Sequence, residues 1–401
     1  MTWLDLADDA PFDAWTLPYG VFSTTGEEPR VGVAVGSWVL DLAPLAAVEG
    51  LDGSHLFAQR TLNSFLAAGR RAWEAVRGWV LELVTESPHR DLVEPHLVPL
   101  AEATLHQPFT VADYVDFYAS QLHAENVGRI FRPDSPALPA AWRHLPIGYH
   151  GRAGTVVVSG TPIARPSGLR RVGAPGSDVE FGPSLKLDIE AEAGFVVGTP
   201  SKLGSRVPLG SFEDHVFGMV LVNDWSARDI QAFEYVPLGP FLGKSFATSV
   251  SPWVVPLAAL EPARVTPPTR SPAVAAYLRD GDPWGLDLQF EVSWNETVVA
   301  RPPSRELYWT PAQMLAHMTV NGASVRTGDL YASGTVSGAR PDTGSFLELT
   351  WNGSDPVTLA DGTRRTFLED GDTVTIRATA PGPNGTRQRL GEVTGTITPP
   401  P

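Results

Sequence analysis

Thirty-eight glycines and 37 prolines punctuate these 401 residues without forming a low-complexity tract. Punctuation of that density argues for many turns and a β-rich fold. The length is enough for one large or two ordinary domains with an ample core. A formal charge of −15 and the lack of any basic stripe argue against a nucleic-acid footprint. The absence of cysteine excludes disulfides and thiolate metal sites, and fits a reducing compartment. No apolar run is long enough for a bilayer. Met1 to Ala10 is acidic and reads as no signal peptide. The expectation is a cytoplasmic protein with no membrane or nucleic-acid partner.

Along the chain, Val31, Val33 and Val35 alternate with small residues, and Trp38 to Leu42 resumes after the turn at Gly36-Ser37. Both read as strands. Leu62, Phe65, Leu66, Trp73, Val76, Val80 and Leu83 predict one amphipathic helix, with Thr61 or Asn63 as its cap. Residues 88–99 read as a connector, which places a boundary near Ala103. Beyond it, strands are expected at Thr155 to Val158, Leu185 to Val197, Val216 to Val222, Leu288 to Trp294 and in C-terminal hairpins. A helix is expected from Gln121 to Asn126. Another is expected over Trp309 to Asn321, capped by Thr310 with Pro311 in its first turn.

The chemistry concentrates in the second part. In Leu187-Asp-Ile-Glu-Ala-Glu-Ala, strand alternation puts Asp188, Glu190 and Glu192 on one face. Stacked carboxylates repel unless a cation or an arginine neutralises them. The plainer reading is a solvated outer face. Asp116 and Asp224 sit where strand gives way to helix, and an all-oxygen set suits Mg²⁺ or Ca²⁺. Asp224, Arg228, Gln231 and Tyr235 share one face if that stretch is helical. Lys244 follows a Gly/Pro loop and is one of three lysines in the chain. His123 stands two helical turns from Asp116 on a helix, as a catalytic base or as a core histidine. Glu348, on an expected strand, is its possible orienting carboxylate. Tyr149 in a Gly/Pro loop, Arg132 before a proline, and Ser333-Gly-Thr-Val-Ser-Gly complete the set. Each of these has a plain packing or surface reading as well.

These residues resemble the fumarylacetoacetate hydrolase family over nearly the whole chain. The resemblance begins at Leu17-Pro-Tyr-Gly-Val-Phe-Ser. It continues through Asp116-Phe-Tyr and His144-Leu-Pro-Ile-Gly-Tyr-His-Gly-Arg. It is densest at Val222-Asn-Asp-Trp-Ser-Ala-Arg-Asp-Ile-Gln and Glu234-Tyr-Val-Pro-Leu-Gly-Pro-Phe-Leu-Gly-Lys. The segment 169–183 and the last hairpin depart from the family pattern.

The resemblance implies a mainly β protein. A small SH3-like β-barrel over residues 1–103 precedes a larger mixed β-roll or β-sandwich domain with a few helices over 104–401. It implies metal carboxylates Asp116, Glu190, Glu192 and Asp224, with Lys244 and Thr248 at a second metal position. A protonated lysine there suits an outer contact better than a ligand. His123 becomes the general base, Glu348 its orienter, and Arg228, Gln231 and Lys244 the oxyanion donors. Tyr118, Arg132, Tyr149, Gln231, Tyr235 and Thr335 become substrate contacts. The implied reaction is hydrolysis of the C–C bond of 4-fumarylacetoacetate to fumarate and acetoacetate, the last step of tyrosine and phenylalanine breakdown, by a homodimer using Mg²⁺ or Ca²⁺. The alternatives are hydrolysis of fumarylpyruvate or another acylpyruvate, a metal-dependent decarboxylase or isomerase, and a non-catalytic Ca²⁺-stabilised metabolite binder.

Overall fold

The computed structural model describes residues 2–51, 53–171 and 178–401. Part of the departing segment, residues 172–177, lies outside the described residues. Short strands joined by turns dominate, and half of those among the described residues belong to one sheet of 13 strands. Its main path runs Leu97–Pro99, Trp38–Asp41, Arg30–Val35, Tyr19–Ser23, Trp253–Pro256, Val216–Asp224, Ala191–Val197, Leu330–Ala332, Tyr114–Phe117, Gly148–His150. Thr104–His106 adds to the Tyr19–Ser23 strand. A second sheet of five strands is built mainly from Gln289–Trp294, Thr373–Pro381 and Arg387–Thr398.

The early strands follow their alternation. Val31, Val33 and Val35 enter one core, while Ala34 faces Phe12, Phe22, Val39 and Trp253 on the other side. No closed barrel is seen among the described strands. Tyr19 and Gly20 pair with Val254 and Trp253, so the early strands run on into the large sheet. A Cβ at Gly20 would lie 2.5 Å from the Trp253 ring, and only glycine permits that approach.

The single helix expected from Leu62 to Leu83 is two helices, Asn63–Ala67 and Arg70–Thr85. They break at Gly69, whose φ of 84° is left-handed. Neither Thr61 nor Asn63 caps the first: Asn63 instead pairs with both backbone groups of Thr110. The helix Pro311–Thr319 starts as expected, with Thr310 and Gln313 forming a reciprocal cap. The expected strand Leu185 to Val197 is interrupted: Leu187–Asp188 pairs with Ser226–Ala227, and Ala191–Val197 with the large sheet. Among the described residues no helix is long and apolar enough to cross a membrane.

Candidate active site

Three strands of the large sheet, two of them separated by Leu330–Ala332, deliver four acids to one place. Tyr114–Phe117 carries Asp116, Ala191–Val197 carries Glu192 just after Glu190, and Val216–Asp224 ends on Asp224. Register aligns them, because Ala332 pairs with both Asp116 and Gly194, and Glu192 pairs with Val222. One carboxylate oxygen from each of the four lies within 4.8 Å of the others. All four side chains are buried, Glu192 completely.

Such crowding is costly without a countercharge. Burial, followed by the negative charge of Asp224, pushes Asp116 well above the usual carboxylate range. Burial, followed by Asp116 and Glu190, does the same to Glu192. Burial also opposes ionisation of Glu190, but Lys244, Arg228 and His123 outweigh it and hold that group low. Asp116 Oδ1 and both oxygens of Glu192 have no hydrogen-bond partner. Buried, orphaned carboxylate oxygens converging on one point fit a hard divalent cation, and the donor set contains no nitrogen or sulfur that would favour zinc.

Lys244 Nζ donates to Glu190 Oε2 at 2.5 Å and to Asp224 Oδ2 at 2.7 Å. Burial alone would lower its pKa, but Asp224 and Glu190 raise it, so the ammonium keeps its proton and has no lone pair for a metal. Thr248 Oγ1 spends its hydrogen on Asp224 Oδ1, at 2.6 Å. Both side chains therefore brace the acid cluster, Lys244 from the cavity wall and Thr248 from behind it.

Facing the acids is a histidine–carboxylate pair. His123 Nδ1 lies 2.7 Å from Glu348 Oε2, and His123 Nε2 lies 3.9 Å from Glu190 Oε1. Glu348 is fully buried and also accepts from Asn126, Ser337 and Ser345 at 3.0, 2.9 and 2.8 Å. Burial opposes its ionisation, yet His123, Asn126 and Ser345 together hold its pKa below the ordinary value. Arg228 Nη1 bonds Glu190 at 2.8 Å and Gln231 at 3.1 Å, while its Nη2 has no partner.

A cavity of about 380 Å³ lies between the two groups. Asp116, Glu190, His123, Arg228, Gln231 and Lys244 reach its wall, as do Tyr118, Arg132, Tyr149, Tyr235 and Thr335. Asp224, Glu192, Thr248 and Glu348 stand behind that wall. Thr335 Oγ1 is buried without a partner.

Several local readings are corrected. Asp224 is the last residue of a strand and the helix begins only at Arg228, so Arg228, Gln231 and Tyr235 share the expected helix face while Asp224 joins them by tertiary folding. Asp116 is on a strand and His123 on the helix Gln121–Phe131, so no common helix face joins them. Glu348 lies in the short helix Phe346–Leu349, where Ser345 accepts from its N–H. The pattern Ser345-x-x-Glu348 was a visible helix-start signal. Asp188 leaves the acid face and instead holds Arg228 Nε at 2.7 Å. Asp188, Asn126, Ser337 and Ser345 are the site residues that sequence reasoning did not single out as part of the machinery. Only Asn126, one turn after His123, offered a second local hint.

Comparisons with known proteins agree with this geometry. Two family models match: "Fumarylacetoacetase N-terminal" over residues 16–108, and "Fumarylacetoacetate (FAA) hydrolase C-terminal" over residues 113–398. The chain is 44% identical to fumarylacetoacetase of Homo sapiens, covering 100% of this chain and 99% of that protein. It is 45% identical to fumarylacetoacetase of Caenorhabditis elegans, covering 99% of each. Among solved structures, a fumarylacetoacetate hydrolase from Exiguobacterium antarcticum shares the fold, with a TM-score of 0.56 at 16% identity over 96% of this chain and 99% of that one. Extended identity, both matched segments and the assembled acids lead to one assignment: the chain belongs to the fumarylacetoacetate hydrolase family.

Proposed function

We propose that this chain is a hydrolase that cleaves the C–C bond of 4-fumarylacetoacetate, releasing fumarate and acetoacetate. The observation that carries the reading is the opposition of four buried carboxylates and the His123–Glu348 pair across one cavity. Relatives with this name at 43–45% identity over the full chain support it.

In this reading His123 Nε2 removes a proton from water, while Nδ1 stays on Glu348, a step contributing on the order of 10²–10⁴ in rate. The hydroxide adds to the carbonyl joined to the fumaryl carbons. Arg228 Nη2, Gln231 and Lys244 donate to the alkoxide that develops, and loss of one such donor typically costs about 2.7–4 kcal/mol of barrier. The C–C bond then breaks, the electron pair leaves on the acetoacetate carbon as an enolate, and the proton held by His123 returns to that carbon. Asp116, Glu190, Glu192 and Asp224 would hold a divalent cation, Mg²⁺ or Ca²⁺, which supplies Lewis acidity when bound. Tyr118, Arg132, Tyr149, Tyr235 and Thr335 would orient the diacid, with Arg132 available to one terminal carboxylate.

The same reading places the enzyme in the cytoplasm, at the end of tyrosine and phenylalanine breakdown, as a homodimer. In support of the homodimer, Leu169, Val179, Phe181 and Leu185 are exposed, as are Val236, Leu238, Phe241 and Leu242, and the strand Ser167–Arg171 packs on the helix Arg228–Glu234 that precedes the second group. An SH3-like unit over 1–103 and a β-roll over 104–401 belong to this reading too. Its test is a product assay on two diketones. The Mg²⁺-loaded enzyme is expected to convert fumarylacetoacetate to fumarate and acetoacetate. His123→Ala is expected to lose about 10²–10⁴ in kcat with cation affinity retained. Faster turnover of fumarylpyruvate would reassign the substrate, and an active His123→Ala enzyme would remove the base.

A further inference from the structure

Among the described residues, two fully buried acids beside the site, Asp188 and Glu348, stand outside the four-carboxylate cluster, and Asp188 is the one not paired with His123. Each of its oxygens makes two contacts. Oδ1 accepts from the Ile189 and Phe346 N–H groups at 2.8 and 2.7 Å. Oδ2 accepts from the Leu347 N–H at 3.0 Å and from Arg228 Nε at 2.7 Å. Phe346 and Leu347 open the helix that carries Glu348, and their N–H groups have no partner within that helix.

One carboxylate therefore touches both sides of the proposed chemistry. On one side it grips the guanidinium whose Nη2 is left free to donate. On the other it fixes the first turn of the helix whose Glu348 orients His123. We propose that Asp188 is a positioning residue that locks Arg228 to the Glu348 helix, so that the oxyanion donor and the carboxylate behind the base keep one fixed separation. Arg228 has a second charged partner in Glu190, but Glu190 faces the cluster and also holds Lys244. Asp188 is the partner that fixes the guanidinium at Nε, and so sets where Nη1 and Nη2 lie. Precision of this kind matters, because reacting groups displaced by about 1 Å can lose about 10²-fold in rate.

Asparagine at 188 isolates the link. Its oxygen can keep the Ile189 and Phe346 N–H groups, while its NH₂ would meet the Arg228 Nε–H and the Leu347 N–H, donor against donor. The inference rests on the proposed roles of Arg228 and His123–Glu348, and the experiment separates the two. Steady-state cleavage of fumarylacetoacetate by the full-length, Mg²⁺-loaded enzyme is compared for wild type, Asp188→Asn, Arg228→Lys and the double variant. Asp188→Asn is expected to lower kcat by about tenfold to a hundredfold with KM within about threefold, the signature of an interaction made in the transition state. The double variant is expected to be no slower than Arg228→Lys by more than about threefold, because both changes disable one unit. A kcat for Asp188→Asn within threefold of wild type overturns the proposal, and so do losses that multiply in the double variant. If Arg228→Lys keeps full kcat, the donor role of Arg228 falls and the proposal with it. If Asp188→Asn does not fold by circular dichroism, Asp188→Glu replaces it, keeping the charge and shifting the carboxylate. The same kcat loss at constant KM supports the lock, and wild-type kcat overturns it.

Discussion

Glu192 has no solvent exposure and no hydrogen-bond partner for either carboxylate oxygen. Burial and the neighbouring Asp116 raise its pKa, and burial raises that of Asp116. The sign of the resulting pH dependence follows. A carboxyl whose folded pKa exceeds its unfolded value, about 3.9 for Asp and 4.3 for Glu, costs stability once it ionises in the fold. That cost is fully present above the folded value, shrinks as pH falls below it, and is gone below the unfolded value. Metal-free protein should therefore gain melting temperature as the pH is lowered from neutral, until other groups protonate. A bound cation removes the repulsion, so the gap in Tm between metal-loaded and chelated protein should narrow with falling pH. Cation binding should also release protons, seen as a calorimetric heat that changes with the ionisation enthalpy of the buffer. A gap independent of pH would mean that these two groups are already ionised without metal. The acids at 190 and 192 were legible because alternation is a local property of the sequence. Asp188 was not, because the strand breaks between it and Glu190, and no local pattern announces that break.

The helix Phe346–Leu349 shows how little secondary structure suffices to place a catalytic partner. It has four residues and depends on its cap: Ser345 Oγ accepts from the Glu348 N–H and donates to Glu348 Oε2. Ser345→Ala removes both bonds. Loss of such a cap costs about 0.5–2 kcal/mol, and a hydrogen bond to a charged group contributes about 1.5–3 kcal/mol. The variant should therefore melt lower and turn over more slowly by about tenfold or more, with KM little changed. Glu348 supplies the sign of its pH dependence. Its folded pKa is depressed, so its stabilising contribution is present above the unfolded value of about 4.3 and is lost as pH falls through the folded value. With one donor gone that folded value rises, and acid unfolding of Ser345→Ala should begin at a higher pH than in wild type. Identical acid limbs would show that Ser345 does not reach the Glu348 charge. Apolar neighbours at Phe346, Leu347 and Leu349 made this segment read as a strand, since a run this short satisfies either period. The Leu62 to Leu83 stripe misled differently: its periodicity survives the break at Gly69 because both helices bury the same face. The strands at Val31 to Val35 and Val216 to Val222, and the Thr310 cap, were legible because each is set by its own neighbours.

The strands that hold the acids are buried on their other face by the first hundred residues. One core joins Tyr19, Phe65, Trp73 and Val80 to Val196, Phe217, Val220, Val222 and Leu330. Nothing in the local pattern of residues 19–41 announces this, because the partners lie far along the chain and pairing at such separation leaves no short-range trace. Phe217 is the hub. Its ring meets Tyr19, Phe65 and Trp73 edge-on, with centroids 5.5, 5.5 and 5.4 Å apart, and it lies on the strand that ends in Asp224. Phe217→Ala should cost about 3–5 kcal/mol through lost burial and a residual cavity. The loss should appear in one transition covering the whole chain, because the two matched segments share this core and one continuous sheet. Cation binding should then act across that sheet: a ligand at a hundred times its Kd adds about 2.7 kcal/mol to the folded state. Saturating Mg²⁺ should therefore return much of the lost Tm to Phe217→Ala, including the part reported by N-terminal aromatic signals in near-ultraviolet circular dichroism. Two calorimetric transitions, with only the later one raised by the cation, would instead mean that the early strands fold apart from the acids, and Phe217 would then be a contact between separate units.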